Sequence, residues 1–238
     1  MSGIEQADRI LELLSEREAP VPFGEIVSET GLPKSSIHGV LRRMQDLQWI
    51  ERLDGPRYRI ALRLVQFART RLNTEVTRRF IEVCDRLKKI PNEAVVLSIL
   101  EGTDVIYLAC RNGSRPFGVQ YQIGMRLPAA TTASGKAVLA QLDEDEIRAR
   151  FAAGVPTNGA GSEKSVDELL AELERTRERG FSIDDEETAP GMICFGAGVP
   201  QGQMNGCAVA ISLIKASITE ADHDSFGREV MDLANALT

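Results

Sequence analysis

Cysteine, histidine and aromatic residues are scarce in this 238-residue chain: four Cys, two His and 5% Phe, Trp and Tyr together. The cysteines (Cys84, Cys110, Cys194, Cys207) show no C-x-x-C spacing, which excludes the common zinc motifs and gives no sign of a disulfide framework. Two histidines, His38 and His223, leave Cys194 without an obvious basic partner for nucleophilic catalysis. Gly-rich phosphate loops, H-E-x-x-H and G-x-S-x-G are missing too, so no cofactor is expected. No apolar run approaches the roughly 18 residues of a membrane helix, and Met1-Ser2-Gly3-Ile4-Glu5 does not open a secretory signal. The expectation is a cytoplasmic protein with no membrane partner. With 43% hydrophobic and 26% charged residues, the composition is that of a globular chain long enough for two cores.

Charge is segregated along the chain. The net charge is −7, yet between Lys34 and Arg79 eleven Lys/Arg stand against four Asp/Glu. A basic patch on an acidic body argues against indiscriminate nucleic-acid binding and for a local anionic partner.

The elements around that patch are legible. Ala7, Ile10, Leu11 and Leu14 have the i, i+3, i+4, i+7 spacing of a first helix. Phe23, Ile26 and Val27 mark a short second one, stopped by Gly31, which suits a left-handed cap. After Pro33, Ile37, Val40, Leu41, Met44 and Leu47 form the buried stripe of a third helix, whose other face carries Lys34, Ser35, Ser36, His38, Arg42 and Arg43. Two short strands, 49–53 and 57–60, flank the turn Asp54-Gly55-Pro56 and set Arg57 and Arg59 near a hairpin tip. Three helices followed by a basic hairpin give the pattern of a winged helix-turn-helix, with the third helix in the major groove of double-stranded DNA and the wing on phosphates.

The run from Thr30-Gly31-Leu32-Pro33 through His38, then Leu41 to Trp49 and Arg57-Tyr58-Arg59-Ile60, resembles the DNA-binding domain of the isocitrate-lyase-regulator (IclR) family of bacterial transcription factors. Thr132-Ala133-Ser134-Gly135-Lys136-Ala137 and Arg179-Gly180-Phe181 through Glu187 are similar to segments of that family's effector domain, so the resemblance covers nearly the whole chain in order. The chain departs from the pattern at Gly39, where the family usually has an arginine, and at Ile214, where a hydroxyl is frequent. The second departure suggests a more apolar ligand than a two- or three-carbon oxoacid.

Residues 61–89 lack Gly and Pro and repeat apolar residues at Leu62, Val65, Leu72, Val76, Phe80, Val83 and Leu87, which predicts one long connecting helix. Beyond it, strands at 93–100 and 105–110, helices near 134–151 and 165–180, strands near 181–184, 192–199 and 207–214 and a final helix from Thr219 suggest an α+β domain with an antiparallel sheet. The resemblance implies a GAF-like α/β sensor fold there. The whole is expected to be α+β: a winged helix-turn-helix at 1–62, a linker helix at 63–89 and an effector-binding domain at 90–238.

Asp184, Cys194 and Ser212 fall on three successive strand-like segments, from which their side chains can converge on one pocket. The resemblance places effector contacts on these three and on Ala133 and Ser134 at a helix start, a seat for a carboxylate. It implies a regulator, a repressor by preference, that binds operator DNA as a homodimer or homotetramer and answers to a small organic acid. A cysteine-dependent enzyme or redox sensor using Cys194 is the rival reading. A pure protein-interaction module leaves the basic wing unexplained.

Overall fold

The structure is a computed structural model that describes residues 1–86, 93–114, 120–156, 164–200 and 205–238. It divides into two compact units, Met1–Thr70 and Arg71–Thr238.

In the first unit, α1 (Gly3–Ser15) opens with a capping box, in which Ser2 and Glu5 each satisfy the other's backbone N–H. Helix α2 (Phe23–Thr30) ends on Gly31 at φ +63°, the left-handed conformation expected of it. Helix α3 (Lys34–Asp46) follows with Pro33 at its N-cap. Strands β2 (Ile50–Leu53) and β3 (Arg57–Ile60) form the hairpin, and a two-residue strand that the sequence pattern did not reveal, β1 (Val21–Pro22), adds to its edge in the order β1-β3-β2. Ile10, Ile26, Ile37, Leu41, Met44 and Tyr58 close the core, so the wing is fastened to the helices through the Tyr58 ring. Leu47, expected inside, is exposed because the helix stops there and it becomes the C-cap.

The single helix expected over 61–89 is two helices, α4 (Arg63–Leu72) and α5 (Glu75–Arg86); residues 87–89, Leu87 among them, lie outside the described residues. The break at Asn73-Thr74 has a local cause. Thr74 Oγ1 accepts from the Thr77 N–H at 3.2 Å, and Glu75 follows in the first turn, so Thr74 starts a new helix. The apolar stripe divides accordingly. Val76 and Phe80 of α5 are buried in the second unit, whereas α4 buries nothing and leaves Leu62, Val65 and Phe67 exposed around it.

The second unit is built on six antiparallel strands: β4 (Ala94–Glu101), β5 (Asp104–Arg111), β6 (Arg126–Pro128), β7 (Ser182–Asp185), β8 (Met192–Gly198) and β9 (Cys207–Ile214), in the order β6-β5-β4-β9-β8-β7. Period-2 alternation gives the sheet two apolar faces. Val95, Leu97, Phe195, Val209 and Ile211 face α5 and α9 (His223–Asn235). Val96, Tyr107, Cys194 and Ala210 face α6 (Ala133–Leu139), α7 (Glu144–Arg150) and α8 (Val166–Arg179). Helix α6 lies unusually close to the sheet because Gly196 has no side chain: a Cβ there would stand 2.4 Å from the Ala133 carbonyl oxygen.

Candidate effector pocket and DNA-binding face

Register brings the three strand residues together. Asp184 pairs with Cys194 across β7–β8, and Cys194 pairs with Ser212 across β8–β9, so the three stand in one row on one face. The N-terminal residues of α6 close over that row, pulled in by the Ser182 hydroxyl, which donates to the Ala133 carbonyl at 2.5 Å. The result is a small cavity between α6 and the sheet. All five residues expected at the effector site, Ala133, Ser134, Asp184, Cys194 and Ser212, line it.

Sequence reasoning missed Tyr107 and Tyr121. Their rings meet edge-on at 5.5 Å between centroids, and Tyr121 Oη donates to Ser212 Oγ at 2.8 Å. Cys194 Sγ donates to the same oxygen at 3.3 Å. The expected apolar wall at Ile214 is not part of the lining; its cross-strand partner Met192 lines the cavity instead. The Ser134 hydroxyl is only 1% exposed and has no hydrogen-bond partner among the described residues. Among the described residues no Lys or Arg lines the cavity.

Asp184 is neither a solvated loop residue nor free to serve a ligand with its whole carboxylate. Its Oδ1 accepts from the backbone N–H groups of Glu187 and Thr188 at 2.9 and 3.1 Å, which shapes the turn between β7 and β8. Burial pushes its pKa up, against the bonds from Thr188 and the positive charge of Lys136. Lys136 is wholly buried and sits between Glu172, 2.6 Å away, and Glu187. Lys164 bridges the same two carboxylates at 2.8 Å each. This neutral ring of four charges ties α6 and α8 to the turn that carries Thr188 into the cavity wall. Burial raises the Glu172 pKa, but the two ammonium groups outweigh it and the net shift is downward.

Cys194 does not have a nucleophile's environment. Burial, helped by the charge of Asp184, pushes its thiol up to about 12, so it is protonated at neutral pH. His223, the only histidine of this unit, packs edge-on against Phe195, on the opposite face of the sheet.

On the first unit, Lys34, Ser35, His38, Arg42 and Arg43 are exposed along α3, with Ser36 half-buried beside them. The His38 ring stacks on Phe23 at 4.3 Å between centroids, so the helix fixes its orientation. Arg57 is exposed on the wing, while Arg59 pairs with Glu51 directly across the hairpin. Among the described residues Lys34, Arg42, Arg43 and Arg57 have no ion-pair partner, which leaves four cations open to phosphate.

Residues 69–238 match the family model described as the bacterial transcriptional regulator IclR C-terminal, and residues 4–54 match the IclR helix-turn-helix domain. The chain belongs to the IclR family. Its curated relatives include the probable transcriptional regulator SauR of Cupriavidus necator, 31% identical over 90% of this chain and 86% of that protein. The transcriptional repressor IclR of Escherichia coli is 26% identical over 97% of the chain and 86% of its own length. Among solved structures, the Agrobacterium tumefaciens repressor BlcR is 32% identical with a TM-score of 0.64, covering 99% of this chain and 95% of that one. An IclR homologue from Microbacterium hydrocarbonoxydans shares the fold at a TM-score of 0.79 and 18% identity, over 99% of this chain and 97% of that one. The family is one of DNA-binding transcriptional regulators and not of enzymes, and the rival reading of Cys194 as a nucleophile gains no support. No helix among the described residues is long and apolar enough to cross a membrane.

Proposed function

We propose that this regulator represses transcription in the cytoplasm and is released or retuned by a small organic acid seated between α6 and the Asp184–Cys194–Ser212 row. The observation that carries this is the buried Ser134 hydroxyl, which has no partner inside a cavity walled by other hydroxyls. An unmade hydrogen bond at a buried group costs about 1–3 kcal/mol, so a ligand that supplies the partner gains that much. The Microbacterium relative was crystallised with 4-hydroxybenzoate, an acid that carries a hydroxyl, and this supports the same ligand class here. With no cation among the described lining residues, the acid is held by hydroxyls and the amide groups at Ala133-Ser134, and the raised pKa of Asp184 allows that group to carry a proton beside it.

Lys34, Ser35, Ser36, His38, Arg42 and Arg43 on α3, with Arg57 and Arg59 on the wing, form the operator-binding face. The exposed apolar residues Leu62, Val65 and Phe67 favour assembly as a homodimer or homotetramer. The test is a thermal-shift panel of monocarboxylic acids, followed by fluorescence anisotropy of the protein on operator DNA with and without each hit. A hit that stabilises the protein and changes operator affinity supports the reading. Stabilisation with unchanged DNA affinity would remove the regulatory part of it.

A further inference from the structure

The cavity between α6 and the sheet is narrow in this conformation. Its free volume is only about 20 Å³, room for about one water molecule. Even the smallest carboxylic acid is larger than that, so one wall must move before a ligand can enter. Helix α6 is pinned to the sheet at Gly196, and Cys194 and Ser212 stand on strands paired on both sides. The turn that brings Thr188 into the wall is held by Asp184 Oδ1 and by the Thr188 hydroxyl, which donates to the Thr131 carbonyl at 3.3 Å. Tyr107 is fixed as well: its N–H donates to the Met125 carbonyl at 3.0 Å, its carbonyl accepts from Gly124 at 2.8 Å, and its strand pairs with β4.

Tyr121 is attached differently. It belongs to no strand, and its backbone is held by the Asn112 amide, whose Oδ1 accepts from the Tyr121 N–H at 2.8 Å and whose Nδ2 donates to the Tyr121 carbonyl at 3.0 Å. The Cys110 thiol adds a third backbone contact by donating to the same carbonyl at 3.2 Å. The ring itself is tied by its phenol group, bonded to Ser212 and in hydrogen-bonding contact with the Cys194 thiol, and by its packing on Tyr107. Rotation about the side-chain bonds therefore withdraws the ring and leaves the backbone anchor in place.

We propose that Tyr121 is the specificity-determining residue of this pocket: its ring occupies the ligand's seat, and the ligand that displaces it is a ring-sized acid bearing an oxygen that replaces the phenol oxygen at Ser212. The inference rests on the reading of the cavity as an acid-binding site. When the ring leaves, it vacates a phenol-shaped space and frees one acceptor site on Ser212 Oγ, beside the partnerless Ser134 hydroxyl. A glyoxylate-sized acid recovers the polar contacts but not the lost ring contact, whereas a hydroxylated monocyclic acid recovers both.

The test is calorimetric titration of glyoxylate, benzoate and 4-hydroxybenzoate into the full-length protein and its Tyr121→Phe and Tyr121→Ala variants, with melting curves to verify folding. Tyr121→Phe keeps the ring and removes the phenol's contacts with Ser212 and Cys194, so the ring acids are expected to bind about three- to tenfold more tightly. Tyr121→Ala empties the seat, and the gain for 4-hydroxybenzoate is expected to exceed tenfold while glyoxylate gains least. Binding to the wild type with the same affinities in a folded Tyr121→Phe and Tyr121→Ala overturns the role of Tyr121 and leaves the acid reading standing. Binding to Tyr121→Ala alone supports Tyr121 as the plug and removes these acids as ligands of the native protein. No binding by any of the three proteins overturns both.

Discussion

Asp184 Oδ1 accepts from two backbone amides inside the protein, so shortening this side chain has two separate effects. Asp184→Ala leaves the N–H groups of Glu187 and Thr188 unpaired and is expected to lower stability by about 1–3 kcal/mol as well as to weaken acid binding. Asp184→Asn keeps the amide acceptor, so its melting temperature should stay near the wild type while its acid affinity changes. A matching loss of stability in both variants would show that the charge, not the acceptor, holds the turn. The cysteines give a pH signature. Burial pushes Cys194 up to about 12 and Cys207 up to about 11, so both stay protonated in the folded state at a pH where the unfolded chain has released its thiol protons. For a raised pKa the stabilising contribution is complete below the ordinary thiol value of about 8.5 and is lost as pH rises through the folded value. Each thiol therefore contributes a fall of at most about 1.4 kcal/mol per pH unit above pH 9. Comparing urea unfolding of the wild type and Cys194→Ala at pH 8.5 and 10.5 isolates the share of Cys194; equal pH slopes would contradict its burial as a neutral thiol. Iodoacetamide at pH 7.5 should leave Cys194 unlabelled in the folded protein.

Two glycines at the element scale call for opposite expectations. Gly196 lets α6 touch the sheet, and a methyl group there collides with the backbone oxygen of Ala133, which has no flexible end to move aside. Gly196→Ala is expected to destabilise the protein by at least about 1–3 kcal/mol and to open the pocket. Gly39 lies in the middle of α3, and a methyl group on its Cα would meet nothing within 4 Å, so Gly39→Ala should raise stability by up to about 1 kcal/mol, read by melting. The row Asp184, Cys194, Ser212 was legible in the sequence because strand alternation has a fixed period and the three segments follow one another. The helix break was legible in principle, since Thr74 followed by Glu75 is an N-terminal signal, but the absence of Gly and Pro concealed it. Tyr121 was not legible. It lies outside any periodic segment, and its partner Ser212 is 91 residues further along the chain. Lys136 was hidden for another reason: a lysine reads as exposed until two carboxylates from distant elements are seen to meet it.

At the scale of the whole molecule, an acidic chain has to hold a polyanion through one basic face, and salt is the measurement that isolates that face. Binding of cations to phosphates releases condensed counterions, and the logarithm of the affinity falls with the logarithm of salt concentration at about −0.9 per phosphate contact. Contacts from Lys34, Arg42, Arg43 and Arg57, which have no ion-pair partner among the described residues, give one head a slope of about −3.6, or about −7 if two heads pair on a two-fold operator. Arg59 is left out of that number because Glu51 already holds it. Arg42→Ala in a dimer removes one contact per head and should flatten the slope by about 2 if Arg42 meets phosphate. If it reads a base instead, the slope keeps more of its steepness and operator affinity drops by about 1–3 kcal/mol relative to random DNA. An unchanged slope together with unchanged operator affinity would remove α3 as the DNA-contacting helix. The same titration repeated with a bound acid closes the linkage: whatever factor the acid imposes on operator affinity, operator DNA must impose on acid affinity, and unequal factors would mean that the two ligands do not act on one conformational equilibrium.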